Sequence, residues 1–193
     1  KRLNIIIVAD LHLGKSISFA KQKQFLPPYD TKETLTKLFN CINEYEPSKL
    51  IIVGDLLHDM FSVQSFQDRD HENFNKYTKK TEFIWVKGNH DSNVEINGVS
   101  KVLDYKVNEI IFNHIPIKSK KFQICGHYHP KVKISHRGKS IYKSSFVNND
   151  KLLILPSFGT LTGGLNIDKE PLKDLLGKNI NIFPVGGEKV YKL

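Results

Sequence analysis

Sulfur is scarce in this chain, which has two cysteines, Cys41 and Cys125, and one methionine in 193 residues. The cysteines stand in unrelated contexts with no short spacing between them, so neither a disulfide framework nor a thiolate zinc site is indicated. They read as small buried hydrophobes in a reducing compartment, and a cytoplasmic location is the default expectation. Long apolar runs are also lacking. The longest, residues 3–9 and 49–54, fall far short of a bilayer, no signal peptide is visible, and no membrane partner is expected. No repeat or low-complexity linker interrupts the chain. Pro27-Pro28 and Gly163-Gly164 read as loop punctuation, giving one expected domain over residues 1–193.

Acidic residues are missing from one stretch. Residues 118–143 carry Lys118, Lys120, Lys121, Lys131, Lys133, Arg137, Lys139 and Lys143 with no Asp or Glu, nearly the whole formal excess of +9. A solvated basic face and a polyanion-facing surface are both consistent with this pattern. Because the stretch encloses His127 and His129, it is expected to flank the same crevice as those histidines. Strand alternation would put Lys131 and Lys133 on one face, with Val132 and Ile134 opposite.

Ile- and Val-rich runs predict strands over residues 3–9, 50–53, 83–86, 109–112, 122–125, 140–147 and 151–155. Between the first two, Asp30 with Glu33 three residues later predicts a capping box. The helix it opens carries Leu35, Leu38, Phe39, Ile42 and Tyr45 on one face and ends before Pro47. A second helix is expected within residues 62–80, with Val63, Phe66, Phe74 and Tyr77 as its apolar stripe. Alternating strand and helix followed by consecutive strands predicts an α/β core, two packed sheets and helices outside.

Polar motifs follow the strands: Asp10-Leu11-His12, Gly54-Asp55, Gly88-Asn89-His90-Asp91, His114 and Gly126-His127-Tyr128-His129. In open α/β sheets such groups converge beyond the carboxyl ends of the strands. The i, i+2 pairs Asp10/His12 and His127/His129 would each point to one side of an extended backbone. Six of eight histidines fall in or beside this set, counting His58, while His71 and His136 lie in polar segments. Carboxylate, imidazole and amide oxygen without thiolate suit manganese, iron or zinc. A pair of divalent ions here would attract phosphate and activate water, so phosphoester hydrolysis is the expected chemistry. Gly14-Lys15-Ser16 resembles the end of a P-loop, but Ala9 stands where its first glycine is required, and a nucleotide cradle is rejected. Thr162-Gly163-Gly164 reads as a tight turn.

In combination these motifs resemble the calcineurin-like metallophosphoesterase superfamily. The resemblance implies one metal on Asp10, His12, Asp55 and His129, and a second on Asp55, Asn89, His114 and His127, with Asp55 as the bridge. His90 matches the family histidine that contacts substrate, His58 the position that supports it, and Asp91 joins them as a catalytic candidate. The chain departs from many members in placing Asn113, not glycine, before His114. More narrowly, residues 9–16, 126–130 and 155–164 resemble the bacterial ligase-associated DNA damage response phosphoesterases (PdeM). That likeness implies a four-layer αββα sandwich, two divalent ions with manganese preferred over zinc or iron, and phosphodiesterase chemistry. It also implies a nucleic-acid or other phosphodiester substrate and a functional association with DNA ligase and helicase. An SbcD-like nuclease is the runner-up, disfavoured because the chain ends soon after its metal motifs. A non-catalytic scaffold is disfavoured because all seven ligands and His90 are present.

Overall fold

The computed structural model describes residues 3–59, 62, 68–91, 94–187 and 189–193. In chain order the elements are β1 (Ile5–Ala9), α1 (Lys15–Lys21), α2 (Asp30–Tyr45), β2 (Lys49–Val53), α3 (Asp68–Thr78), β3 (Glu82–Val86), β4 (Val99–Val102) and β5 (Tyr105–Val107). There follow β6 (Ile110–Asn113), β7 (Phe122–Cys125), β8 (Lys131–His136), β9 (Lys139–Asn148), β10 (Leu152–Ile154), α4 (Leu172–Leu176), β11 (Asn181–Gly186) and β12 (Lys189–Val190).

Two sheets form. β1-β2-β3-β4 is all parallel. The larger sheet runs β12-β11-β9-β10-β7-β6-β5, with β8 hairpinned onto β9 and a parallel centre of β6, β7 and β10. Three apolar clusters mark three interfaces between four layers. Leu35, Leu38, Phe39 and Phe74 pack helices onto Leu50, Ile52, Phe83 and Trp85 of the first sheet. Ile51, Val53, Ile84 and Val86, on its other face, meet Phe112, Ile124 and Leu155 of the second. Val147, Leu152 and Ile154 are covered by Ile167, Leu172 and Leu176 around the short α4. This is the expected αββα sandwich, with a thin fourth layer.

Several details differ from expectation. Asp30 is the first residue of α2, and Tyr29 takes the N-cap position with no side-chain hydrogen bond. The Asp30 carboxylate instead accepts the Ser16 backbone N–H at 3.2 Å and the Ser16 hydroxyl, so the capping box gives way to a tertiary bond. Tyr45 is 59% exposed and does not belong to the buried stripe. Phe74 is buried, and Tyr77 stacks on Phe39 with ring centroids 4.3 Å apart, whereas Val63 and Phe66 lie outside the described residues.

No helix among the described residues is long and apolar enough to cross a membrane. Cys125 is wholly buried, and burial pushes its thiol up to about 12 although a backbone hydrogen bond at Asn113 opposes the shift. A raised pKa keeps the thiolate scarce until strongly alkaline pH. Native protein at pH 8 is therefore expected to take one equivalent of iodoacetamide, at half-buried Cys41, and a second only on unfolding. Mass spectrometry of the labelled peptides checks this, and rapid native labelling of Cys125 would contradict it.

Candidate metal centre

Every predicted ligand follows a parallel strand: Asp10 and His12 after β1, Asp55 after β2, Asn89 after β3, His114 after β6 and His127 and His129 in the loop after β7. The two sheets face each other, so these loops meet at one end of the sandwich. The chain continues the sheet register briefly into them, with Asp10 N–H on Gly54 O at 3.2 Å and Gly126 N–H on His114 O at 3.1 Å.

The i, i+2 pairs do not lie on extended backbone. Asp10, His12, Asp55, His127 and His129 all have positive φ, at 55°, 46°, 42°, 72° and 46°. Left-handed conformations cost non-glycine residues about 1–2 kcal/mol each, and such strain collects at functional sites. Tight left-handed turns, not pleat alternation, aim these side chains together. Gly54 allows one of the closest approaches: its φ is +79°, and a β-carbon there would stand 1.9 Å from His114 Nδ1.

Two groups of side chains can each hold a metal ion, Asp10 with His12 and His129, and Asp55 with His114 and His127. Within the first, His12 Nε2 faces His129 Nε2 at 3.2 Å, and His129 Nε2 lies 3.5 Å from Asp10 Oδ1. Within the second, His114 Nε2 is 3.3 Å from Asp55 Oδ2 and 3.2 Å from His127 Nδ1. Asn89 Oδ1 joins the second group at 2.8 Å from His114 Nε2. Asp55 Oδ2 also lies 3.8 Å from His12 Nε2, placing one carboxylate between both groups.

This donor set fits a pair of divalent cations. Two facing pairs of imidazole nitrogens repel through their lone pairs unless a proton or cation lies between them. Burial, helped by the neighbouring histidines and opposed by Asp55, pushes His12 down to about 3, leaving it neutral and free to donate a lone pair. Burial and the His114 charge likewise hold His127 low. At Asp55 burial favours the neutral acid. The hydrogen bond and charge of His114, with help from His90 N–H and His12, outweigh it and hold the carboxyl at about 2. His114 Nδ1 lies 3.4 Å from the Val53 carbonyl, an arrangement that turns Nε2 toward the cluster.

The surrounding residues divide by geometry. His90 is exposed, its ring edge-on to His12 at 5.5 Å, while its backbone N–H donates to Asp55 Oδ1 at 3.0 Å. His58 is half-buried and stacks on His90, with centroids 5.6 Å apart and planes 13° off parallel. Asp91, the third catalytic candidate, is buried beneath them. Its carboxylate accepts Leu57 N–H at 3.2 Å, Trp85 Nε1–H at 2.9 Å and Gly88 N–H at 2.7 Å, so both oxygens brace the loop. Asn113, in place of glycine, is accommodated because its amide donates to Gln123 Oε1 at 3.1 Å, and Gln123 in turn clamps the Ile117 backbone.

The turn at Thr162-Gly163-Gly164 proves adjacent to the site. A β-carbon on Gly164 would stand 2.2 Å from the His129 carbonyl, and Leu165 N–H bonds Tyr128 O at 3.2 Å. Neither the spacing nor the composition of that turn signals this contact. The basic stretch, by contrast, divides. Lys121 pairs with Glu109 at 2.9 Å beside the starts of β6 and β7, the end opposite the ligands. Lys131 and Lys133 open β8 just beyond His129, sharing a face with Tyr142, which pairs with Lys133.

Among solved structures, the chain is similar to the Pseudomonas putida nuclease MPE, with 24% identity and a TM-score of 0.74, covering 98% of this chain and 87% of that one. It also aligns with the E. coli phosphoesterase Yfce at 13% identity, TM-score 0.48, over 95% and 88% of the two chains. A Vps29 double mutant from Entamoeba histolytica aligns at 14% identity, TM-score 0.37, over 98% and 92%. No curated protein matches the sequence. The family described as Calcineurin-like phosphoesterase matches residues 3–184, and the chain belongs to this family of metal-dependent phosphoester hydrolases.

Proposed function

We propose that this protein is a binuclear-metal phosphodiesterase acting on nucleic-acid ends, nucleotides or a related phosphodiester in a DNA-repair setting. The observation that carries the reading is the position of Asp55 Oδ2, 3.8 Å from His12 Nε2 and 3.3 Å from His114 Nε2. One ion would be held by Asp10, His12, Asp55 and His129, the other by Asp55, Asn89, His114 and His127. Manganese suits these hard and borderline donors, with zinc or iron as alternatives. Bound there, the pair supplies Lewis-acid polarisation of phosphate oxygens and a nucleophile at neutral pH.

The protein's own residues do the rest. His90 stands exposed beside the cluster, within reach of a phosphate or leaving oxygen, and supplies hydrogen bonding and proton transfer. His58 holds the His90 ring by stacking, and Asp91 fixes the loop that carries both Asn89 and His90. The fold shared with a nuclease supports a nucleic-acid substrate, and the resemblance of residues 9–16, 126–130 and 155–164 to ligase-associated phosphoesterases is the ground for a cytoplasmic role alongside DNA ligase and helicase.

Protein reconstituted with manganese is expected to bind two ions by elemental analysis and to hydrolyse phosphodiesters. A screen across phosphomonoesters, cyclic nucleotides, single-stranded DNA and duplex ends locates the substrate. Turnover of monoesters alone would overturn the diesterase reading, internal cleavage of long single strands would favour the SbcD-like nuclease, and a saturated stoichiometry of one would remove the binuclear centre.

If Lys131 and Lys133 meet a nucleic acid, binding releases condensed counterions and affinity falls steeply with salt, by about 0.7 log units per contact and log unit of salt on a single strand. The Lys131→Gln/Lys133→Gln variant is expected to lower the slope of log affinity against log salt by about 1.4 units. Equal slopes for parent and variant in fluorescence anisotropy would make the ribbon an ordinary solvated surface.

A further inference from the structure

Gly14-Lys15-Ser16 builds no P-loop, yet the fold fixes Lys15 with unusual care. On one side Gly14 N–H donates to Thr31 Oγ1 at 2.8 Å; on the other the Ser16 N–H and hydroxyl both bond buried Asp30. Just upstream, Leu13 O accepts the His58 N–H at 3.0 Å and Leu13 bridges Leu57. Lys15 therefore leaves the chain two residues from the point where the first ligand loop is tied to His58.

Its ammonium lies 5.6 Å from the Phe19 ring centroid, Phe19 lies 5.8 Å from His58, and His58 stacks on His90. Successive contacts thus link Lys15 to the exposed histidine beside the candidate metal centre. Two lysines are neutralised by carboxylates, Lys49 by Glu82 and Lys121 by Glu109. Lys15 makes no ion pair among the described residues, and Asp30, the acid acting on it, spends both oxygens on Ser16. Burial holds its ammonium below the ordinary value, with Asp30 opposing the shift. A half-buried ammonium with no carboxylate is destabilised by lost hydration, and a bound anion reverses that cost.

We infer that Lys15 is a phosphate-binding residue for a second phosphate of the substrate, one sugar away from the phosphodiester under attack. Phe19 provides the apolar wall against which the linking sugar or base lies. The substrate class is then a nucleoside phosphorylated on two oxygens, within an oligonucleotide or free. This deepens the phosphodiesterase reading and rests on it for the meaning of the first phosphate.

Calorimetry with manganese-loaded protein tests the inference without turnover. The probes are thymidine 3′,5′-bisphosphate and the two thymidine monophosphates. The bisphosphate is expected to bind about tenfold tighter than either monophosphate, as one charge-assisted contact gives. Lys15→Gln should erase that advantage and Lys15→Arg should keep most of it. Equal binding of all three probes by the parent, or an equal loss for all three in Lys15→Gln, would overturn it. Hydrolysis of the p-nitrophenyl esters of the same nucleotides separates the two readings. Cleavage without any bisphosphate preference leaves the diesterase and removes the Lys15 subsite. A binding preference without cleavage of any diester leaves the subsite and removes the diesterase.

Discussion

Asp55→Ala is expected to empty both halves of the centre at once, taking manganese from two ions per chain to near none and turnover down by roughly 10³-fold or more, about 4 kcal/mol of barrier. The expectation rests on geometry. Asp55 Oδ2 is within 4 Å of an imidazole nitrogen in each donor group, so its loss removes an anionic donor from both. Asp10 offers a contrast. Its Oδ1 lies 3.5 Å from His129 Nε2 and 3.6 Å from His114 Nδ1, but the latter nitrogen is the one turned to the Val53 carbonyl and away from Asp55 and His127, so Asp10 shares a donor group only with His12 and His129. Asp10→Ala should therefore retain about one ion on Asp55, His114 and His127. Because Asp55 also accepts the His90 N–H at 3.0 Å, alanine there could loosen the loop as well as the metals. Asp55→Asn keeps an oxygen for that bond and removes the charge. Loss of metal in Asp55→Asn with the melting temperature preserved assigns the effect to ligation, and retention of one tightly bound ion in both variants would show that Asp55 does not bridge.

Much of this architecture is legible in the chain because two kinds of signal coincide. Ile- and Val-rich runs announce β1, β2, β3, β6, β7, β9 and β10, and the polar motifs stand where those runs stop. Parallel strands put their carboxyl ends on one side, which converts distant motifs into neighbours. The parts that escape reading depend on tertiary contacts. α1 starts at Lys15 behind Gly14, an N-cap with no side-chain hydrogen bond, and is held by Ser16 on Asp30, a partner fourteen residues away, so local sequence gives it no start signal. β4 and β5 are four and three residues long, and β11 contains Pro184, which argues against a strand until its pairing with β9 is seen. The backbone at the ligands was misread for a different reason. Asp and His do not advertise left-handed conformations as glycine does, so an i, i+2 spacing suggested pleat where the structure has turns. At Asp91 sequence shows the neighbour, His90, but not the three N–H groups that surround its carboxylate.

The same loop supplies the second large effect. His90→Ala is expected to lower turnover by about 10²–10⁴-fold, the usual contribution of a positioned acid or base, while manganese content stays near two. The bond that ties this residue to the centre comes from its backbone, His90 N–H to Asp55 Oδ1 at 3.0 Å, and alanine preserves it. What alanine removes is an exposed imidazole beside His12 that belongs to neither metal-holding group. His58→Ala should fall between parent and His90→Ala, since it deletes the stacked ring that limits the motion of His90 but no group facing solvent phosphate. Asp91→Ala should behave differently from both. It orphans the Leu57, Gly88 and Trp85 donors in a buried place, each at about 1–3 kcal/mol, and so lowers thermal stability first and activity as a consequence. Metal analysis, single-turnover rates and melting curves on the three variants separate these roles. If His90→Ala loses manganese as completely as Asp55→Ala, His90 is a ligand and the division between metal holding and proton transfer is wrong.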